Sequence, residues 1–218
     1  MSLFRLDASI RVEGSASRDI ADIVDREWRA GNPSAPVTRR HLGTEPLPAG
    51  AWAAAVAGSW IPAEQRTPEQ ADALALAATL TDELVDAEAL LFAVPLYNFG
   101  VSQHFKTWAD LVITDPRMAP GGEPPLAGKP AVLVTVRGGN YSAGTPREGW
   151  DHATSWMRRI LEDVFGLDLR VVEREFTLVG VNPALDSFAD VAAELRKTAE
   201  REAAEHGRQL SSTVRAAA

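Results

Sequence analysis

A chain of 218 residues with 45% hydrophobic and 24% charged residues has the composition of a globular protein large enough to bury a full core without staples. It contains no cysteine, which excludes disulfides, iron–sulfur clusters, thiolate zinc sites and a cysteine nucleophile, and fits a reducing cytoplasm. A net charge of −8 gives no electrostatic footprint for nucleic acid or anionic lipid. No apolar run approaches the roughly 20 residues of a membrane span, so a small molecule is the expected partner.

In chain order, "LFRLDAS" (3–9) reads as a first strand and "SRDIADIVDREWRAG" (17–31) as an amphipathic helix, with Ile20, Ile23, Val24 and Trp28 on one stripe and Gly31 as its stop. "PVTRRHL" (36–42) is a second strand. The Ala-, Pro- and Gly-rich segment before residue 67 is a connection with room for a short helix. "TPEQADALALAATLTDELVDA" (67–87) opens with Thr67, Pro68 and Gln70 in capping-box places. "ALLFAVPLY" (89–97) is apolar at nearly every position, as a central strand covered on both faces must be. A helix over 102–114 and a Pro- and Gly-rich loop over 115–129 follow. The remaining elements are a strand over 130–139, a helix over 149–166 ending at Gly166, a strand over 169–179 and a closing helix over 186–210. Residues 1–210 are expected to form one domain and 211–218 a frayed tail.

Five strand–helix units imply a parallel sheet with helices on both faces, either a dinucleotide-binding or a flavodoxin-like arrangement. In both, ligands sit at the carboxyl ends of the strands. Neither G-x-G-x-x-G nor the P-loop pattern occurs. After strand one, Ser9, Ser15 and Ser17 lead into a helix N-terminus, a place suited to phosphate, with Arg11 nearby. Any one of these serines alone, Ser15 or Ser17, reads better as a simple helix cap, and it is the three hydroxyls around one loop that point to phosphate. After the apolar strand, "PLYNF" presents backbone amides, the Asn98 amide and the rings of Tyr97 and Phe99 to a flat ligand, or closes the core. After the fourth strand, "RGGNY" lets backbone approach a ligand closely beside Tyr141, or is only a turn. The histidines at 41, 104, 152 and 206 have no metal-ligand spacing, so no metal site is expected. Trp108, Trp150 and Trp156 are candidates to wall an acceptor pocket, or else core or dimer contacts.

Taken together, the serines of the first loop, "P-L-Y-N-F" and "R-G-G-x-Y" resemble the FMN-dependent NADH-azoreductase family, related to the flavodoxin-like NAD(P)H:quinone oxidoreductases, over residues 3 to about 210. The resemblance implies a flavodoxin-like α/β fold, with a five-stranded parallel sheet in the order 2-1-3-4-5, and a homodimer holding FMN non-covalently near the dimer interface. Ser9, Ser15, Ala16 and Ser17 would surround the phosphate. Leu96, Tyr97, Asn98 and Phe99 would line the isoalloxazine ring, and Val136, Arg137, Gly138 and Gly139 would border its pyrimidine side.

The implied reaction is ping-pong: hydride transfer from NADH or NADPH to FMN, then two-electron reduction of a quinone or azo acceptor. Gly138 and Gly139 amides would stabilise negative charge on the ring; the sequence forces no general acid, and Tyr141 or solvent is the candidate proton donor. The chain departs from the family at Leu96, often methionine there, at Val136, often serine, and at Ala16, in place of a larger polar residue. Its loop 115–129 is shorter and carries Met118 and prolines in place of an aromatic pair expected to border the acceptor site. Two rival readings are a flavodoxin-type FMN electron carrier and a phosphoesterase with Asp7 as nucleophile.

Overall fold

The computed structural model describes residues 1–119, 121–124 and 126–217. Five parallel strands, β1 (Leu3–Asp7), β2 (Val37–His41), β3 (Ala89–Tyr97), β5 (Pro130–Val136) and β6 (Asp168–Arg174), form a sheet in the order β2-β1-β3-β5-β6. Counted as parallel strands alone, this is the expected 2-1-3-4-5. The one addition is β4 (Gly100–Val101), which folds back antiparallel on the end of β3.

Helices α1 (Ala16–Gly31) and α6 (Ala189–Ala217) cover one face. The other carries α2 (Ala51–Ser59), α3 (Pro68–Asp86), α4 (Gln103–Thr114) and α5 (Thr154–Arg158), which runs on as a π-helical turn over Arg159–Val164. Among the described residues, no helix is long and apolar enough to cross a membrane.

The period-2 alternation of the strands divides the core in two. Phe4, Leu6, Leu90, Phe92 and Leu133 pack under α3, α4 and α5, whereas Leu3, Leu91, Ala93, Val132 and Val134 pack under α1 and α6. Strand β3 is buried at every position except Tyr97, which explains its uninterrupted apolar sequence. Thr67 and Gln70 form the expected capping box of α3, the Thr67 hydroxyl accepting the Gln70 amide at 3.3 Å and the Gln70 side chain accepting the Thr67 amide at 3.0 Å.

Strands β1 and β5 end earlier than read from the sequence, α6 starts at Ala189 after a 3-10 turn over Pro183–Phe188, and three further boundaries differ. Residues 149–153 are not helical, because Asp151 turns back and its Oδ1 accepts the amides of Ala153 (2.8 Å) and Thr154 (2.9 Å), fixing the start of α5 there. Strand β6 ends at Arg174, and Phe176 lies beyond it in the left-handed region (φ 55°), its ring stacked on Phe188 at 5.1 Å. Helix α6 continues to Ala217, with Ser211 and Val214 buried and the Ser211 hydroxyl accepting from Asn32 Nδ2 at 2.9 Å. The segment expected to fray is therefore helical as far as it is described; Ala218 lies outside the described residues.

Candidate functional site

The carboxyl ends of β1, β3 and β5 open into a cavity of about 500 Å3, within the usual range for a small-molecule site. Its wall includes Ser9, Arg11, Ser15, Ala16 and Ser17 from the first loop and Leu96, Tyr97, Asn98 and Phe99 from the third strand end. Val136, Gly138, Gly139 and Tyr141 complete it from the fourth. Three segments well separated in sequence thus converge at the reversal point of the strand order, where open α/β sheets hold ligands.

At one end lies the N-terminus of α1. Ser15 occupies the N-cap position yet makes no capping hydrogen bond; its hydroxyl pairs with that of Ser17 at 3.3 Å. The first intrahelical bond is from the Asp19 amide to the Ser15 carbonyl, so the amides of the first turn are left pointing at the cavity with the positive end of the helix dipole behind them. The simple-cap reading of Ser15 is not what the geometry supports.

The loop before the helix is shaped from outside. Arg18 Nη2 donates to the Ser9 carbonyl (2.9 Å) and Nη1 to the Val12 carbonyl (3.2 Å). Tyr97 Oη accepts the Ile10 amide at 3.2 Å and lies 3.2 Å from the Ser9 hydroxyl, tying the third strand end to the first loop.

Gly43, just past β2, lies so close that a methyl group there would come within 1.9 Å of the Ser9 carbonyl oxygen. Gly43→Ala is expected to push the Ser9 loop out of place, lowering stability by about 2 kcal/mol in urea denaturation and weakening anion binding at α1 in the same variant.

The middle of the cavity is the turn Asn98–Phe99. Leu96 pairs with Val101 and Tyr97 with Gly100, so a two-residue hairpin joins β3 to β4, and both turn residues have positive φ (48° and 67°). A phenylalanine in that conformation is strained, and strain of this kind collects at functional sites. It holds the Phe99 ring 41% exposed, edge-on to Trp150 at 5.4 Å and tilted to Tyr141 at 6.4 Å.

At the end of β5 the carbonyls of Arg137, Gly138 and Gly139 accept the amides of Thr177, Leu178 and Phe176. The amides of Gly138 and Gly139 make no hydrogen bond among the described residues. Two donors are thereby left beside the cavity.

Arg137 does not line the cavity, contrary to the expectation that it borders the ring. Its side chain is buried on the other side of the strand end, where Nε donates to Asp151 Oδ2 (2.6 Å), Nη1 to Glu173 Oε2 (2.7 Å) and Nη2 to Thr154 Oγ1 (3.1 Å). Burial alone drives the guanidinium pKa down, but Glu173 and Asp151 together raise it above the ordinary value. Burial likewise pushes the Asp151 carboxyl up, and the hydrogen bonds from Thr154 and Ala153 with the Arg137 charge outweigh it, leaving the pKa below the usual carboxylate value. Glu175, 3.5 Å from Arg137, accepts the Tyr141 amide (2.8 Å) and the Ser142 hydroxyl (2.9 Å), so this network anchors the loop that carries Tyr141.

Other expectations resolve as follows. Asp7 lies inside the sheet, held by Arg5 at 3.1 Å and by Arg39 at 2.9 Å, and is absent from the cavity wall; a nucleophilic role is overturned by that placement. Trp108 is fully buried against Phe92 and Phe105, a core residue. Trp156 is only half-buried and carries Lys106 over its ring at 5.6 Å. Met118 is buried in the core, and no residue of 115–129 lines the cavity among those described; Pro120 and Pro125 lie outside the description. The wall also includes Thr177, Leu178, Asn182 and Leu185, beyond β6, and Arg147, none of which the sequence singles out.

Residues 1–201 match a family model described as the flavodoxin-like fold. A protein of Frankia alni named FMN-dependent NADH:quinone oxidoreductase is 39% identical over 201 residues, covering 91% of this chain and 95% of its own. One of the same name from Streptomyces coelicolor is 33% identical, covering 99% and 97%. Among solved structures, an azoreductase from Bacillus anthracis superposes with a TM-score of 0.79 at 22% identity, over 96% of this chain and 99% of that one. At that identity the likeness speaks to the fold.

Proposed function

We propose that this chain, which belongs to the flavodoxin-like fold family together with relatives named FMN-dependent NADH:quinone oxidoreductase, is itself an FMN-dependent NAD(P)H oxidoreductase of quinone or azo acceptors. The observation that carries the reading is one cavity with free donors at both ends: the uncapped first turn of α1 with its serines, and the unpaired amides of Gly138 and Gly139. FMN fits that arrangement, with an anionic phosphate for the first end and a flat ring with a polar edge for the second. When bound, it supplies the chemistry, accepting a hydride from the nicotinamide and passing two electrons on.

The protein's part is to bind and orient. Ser9, Ser15, Ala16 and Ser17 hold the phosphate through hydroxyls and helix amides. Leu96, Tyr97, Asn98 and Phe99 set the plane of the ring, and the rigid hairpin keeps them there. Val136 packs its edge, and the amides of Gly138 and Gly139 face the polar side, where negative charge grows on reduction. Tyr141, anchored through its amide by Glu175 and lining the cavity, is the side chain assigned here to deliver a proton to the acceptor. Arg137 acts only by positioning that loop.

Residues 1–210 act as one FMN-binding domain. The chain works as a homodimer, for which Trp60 (85% exposed), Trp52 and Trp150 provide apolar surface. It works in the cytoplasm, as its lack of cysteine suits.

The test is an absorbance spectrum of the purified protein, reconstituted with FMN if colourless, followed by anaerobic NADH or NADPH. Visible flavin bands that bleach with a nicotinamide and return with a quinone are the expected result. Bound flavin without bleaching identifies an electron carrier instead, and failure to bind FMN overturns the assignment.

A further inference from the structure

The cavity contains a charged side chain that neither the sequence motifs nor the binding scheme above employs. Arg147 lies on its wall with its guanidinium over the Tyr141 ring, 5.8 Å from the centroid, and with Nη1 2.9 Å from the position a Gly139 side chain would take. The bare backbone of Gly139 is therefore its seat. No carboxylate pairs with it among the described residues, although the chain carries a net charge of −8. Its neighbour Glu148 is turned away, accepting the Gly144 amide at 2.7 Å. The contrast with Arg137, two residues from Gly139 and surrounded by Asp151, Glu173 and Glu175, is complete: one arginine is neutralised inside the fold and the other is kept unpaired at the cavity.

We infer that Arg147 is the side-chain cation that stabilises the reduced, anionic form of the bound cofactor, acting beside the Gly138 and Gly139 amides. The inference rests on the FMN reading of the cavity. A hydride leaving NADH as NAD+ carries two electrons and one proton to the ring, which gains one negative charge. A guanidinium resting against Gly139 meets that charge at the polar edge, where the two amides also point. Filling the cavity removes water from between the charges and strengthens the attraction, which is selective for the reduced state because the oxidised ring is uncharged. Arg11, the other arginine on the wall, belongs with Ser9, whose hydroxyl accepts the Arg11 amide at 3.2 Å, and hence with the phosphate end.

The experiment compares the wild type with Arg147→Gln and Arg147→Lys, each loaded with FMN, by equilibrium titration of midpoint potential and by binding of oxidised FMN to the apoprotein. Arg147 is exposed and makes no ion pair, so both variants are expected to fold. For Arg147→Gln the expected result is near wild-type affinity for oxidised FMN and about tenfold weaker affinity for the reduced form. That corresponds to a potential lower by about 30 mV for a two-electron couple. Arg147→Lys should recover most of the loss.

An unchanged potential in Arg147→Gln overturns the inference, also if KM for the nicotinamide rises, which would make Arg147 a contact for the dinucleotide. Equal weakening of both redox forms overturns it as well, since that is uniform binding. A wild-type protein that binds no FMN is a different failure, overturning the parent reading and this one with it.

Discussion

Ser15→Asp is expected to abolish FMN binding, by about a thousandfold or about 4 kcal/mol, while leaving the apoprotein as stable as the wild type or more so. The two signs come from the same feature. Ser15 is at the N-cap of α1 without a capping bond, so the first-turn amides are unused by the protein. An aspartate there accepts one of those amides and places its charge at the positive end of the helix, both favourable to the fold by up to about 1 kcal/mol. That same carboxylate fills the anion position and repels a phosphate carrying one to two negative charges.

Fluorescence titration of FMN and thermal melting of the apoprotein read the two effects separately. Loss of stability without loss of binding would mean that Ser15 is a packing residue and that the phosphate lies elsewhere. A gain in stability with binding intact would mean that α1 has nothing to do with the ligand.

What the sequence made legible, and what it did not, follows from how far each feature depends on partners distant in the chain. Strand β3 was readable to the residue because double-sided burial leaves an unbroken apolar run, and α3 because its capping box is local. Ser9, Ser15, Tyr97 and Gly138 were readable because strand ends at the reversal of a parallel sheet are set by topology alone.

Arg137 was misplaced for a reason visible in hindsight. Side chains alternate along a strand, so once Val136 and Gly138 face the cavity the residue between them must point away, and its charge then needs the carboxylates it finds. The start of α5 was misjudged because Asp151 in a helical-looking run makes its own turn.

Gly43, Arg18, Arg147 and the 177–185 wall were silent for another reason. An isolated glycine or arginine in one sequence gives no sign that its neighbour in space is the Ser9 carbonyl or the face of Tyr141.

Arg137→Ala should be the most damaging single change to the fold near the site, costing about 3–5 kcal/mol at neutral pH, because it leaves Asp151, Glu173 and Glu175 facing one another without their cation. The cost should depend on pH in a defined direction. Asp151 has a folded-state pKa below its unfolded value, so in the wild type its contribution is present above the unfolded value of about 3.9 and is lost as pH falls through the depressed one. Removing Arg137 takes away part of what depresses it and leaves the burial that raises it, so the variant should lose the Asp151 contribution at a higher pH than the wild type.

Once the carboxylates are protonated the missing cation no longer matters, and the two stability curves should approach each other in acid. Urea denaturation at about pH 7 and at steps down to about pH 2, below the ordinary carboxylate range, measures the gap at both ends. A gap that is constant with pH would mean that Arg137 stabilises by packing its stem rather than by its charge. The Glu175 anchor of Tyr141 and Ser142 should loosen together with the ion pairs, so the variant's FMN affinity, measured where it is still folded, should fall although Arg137 itself does not touch the cavity. The loop around Gly139 is then only as well placed as the buried charges behind it.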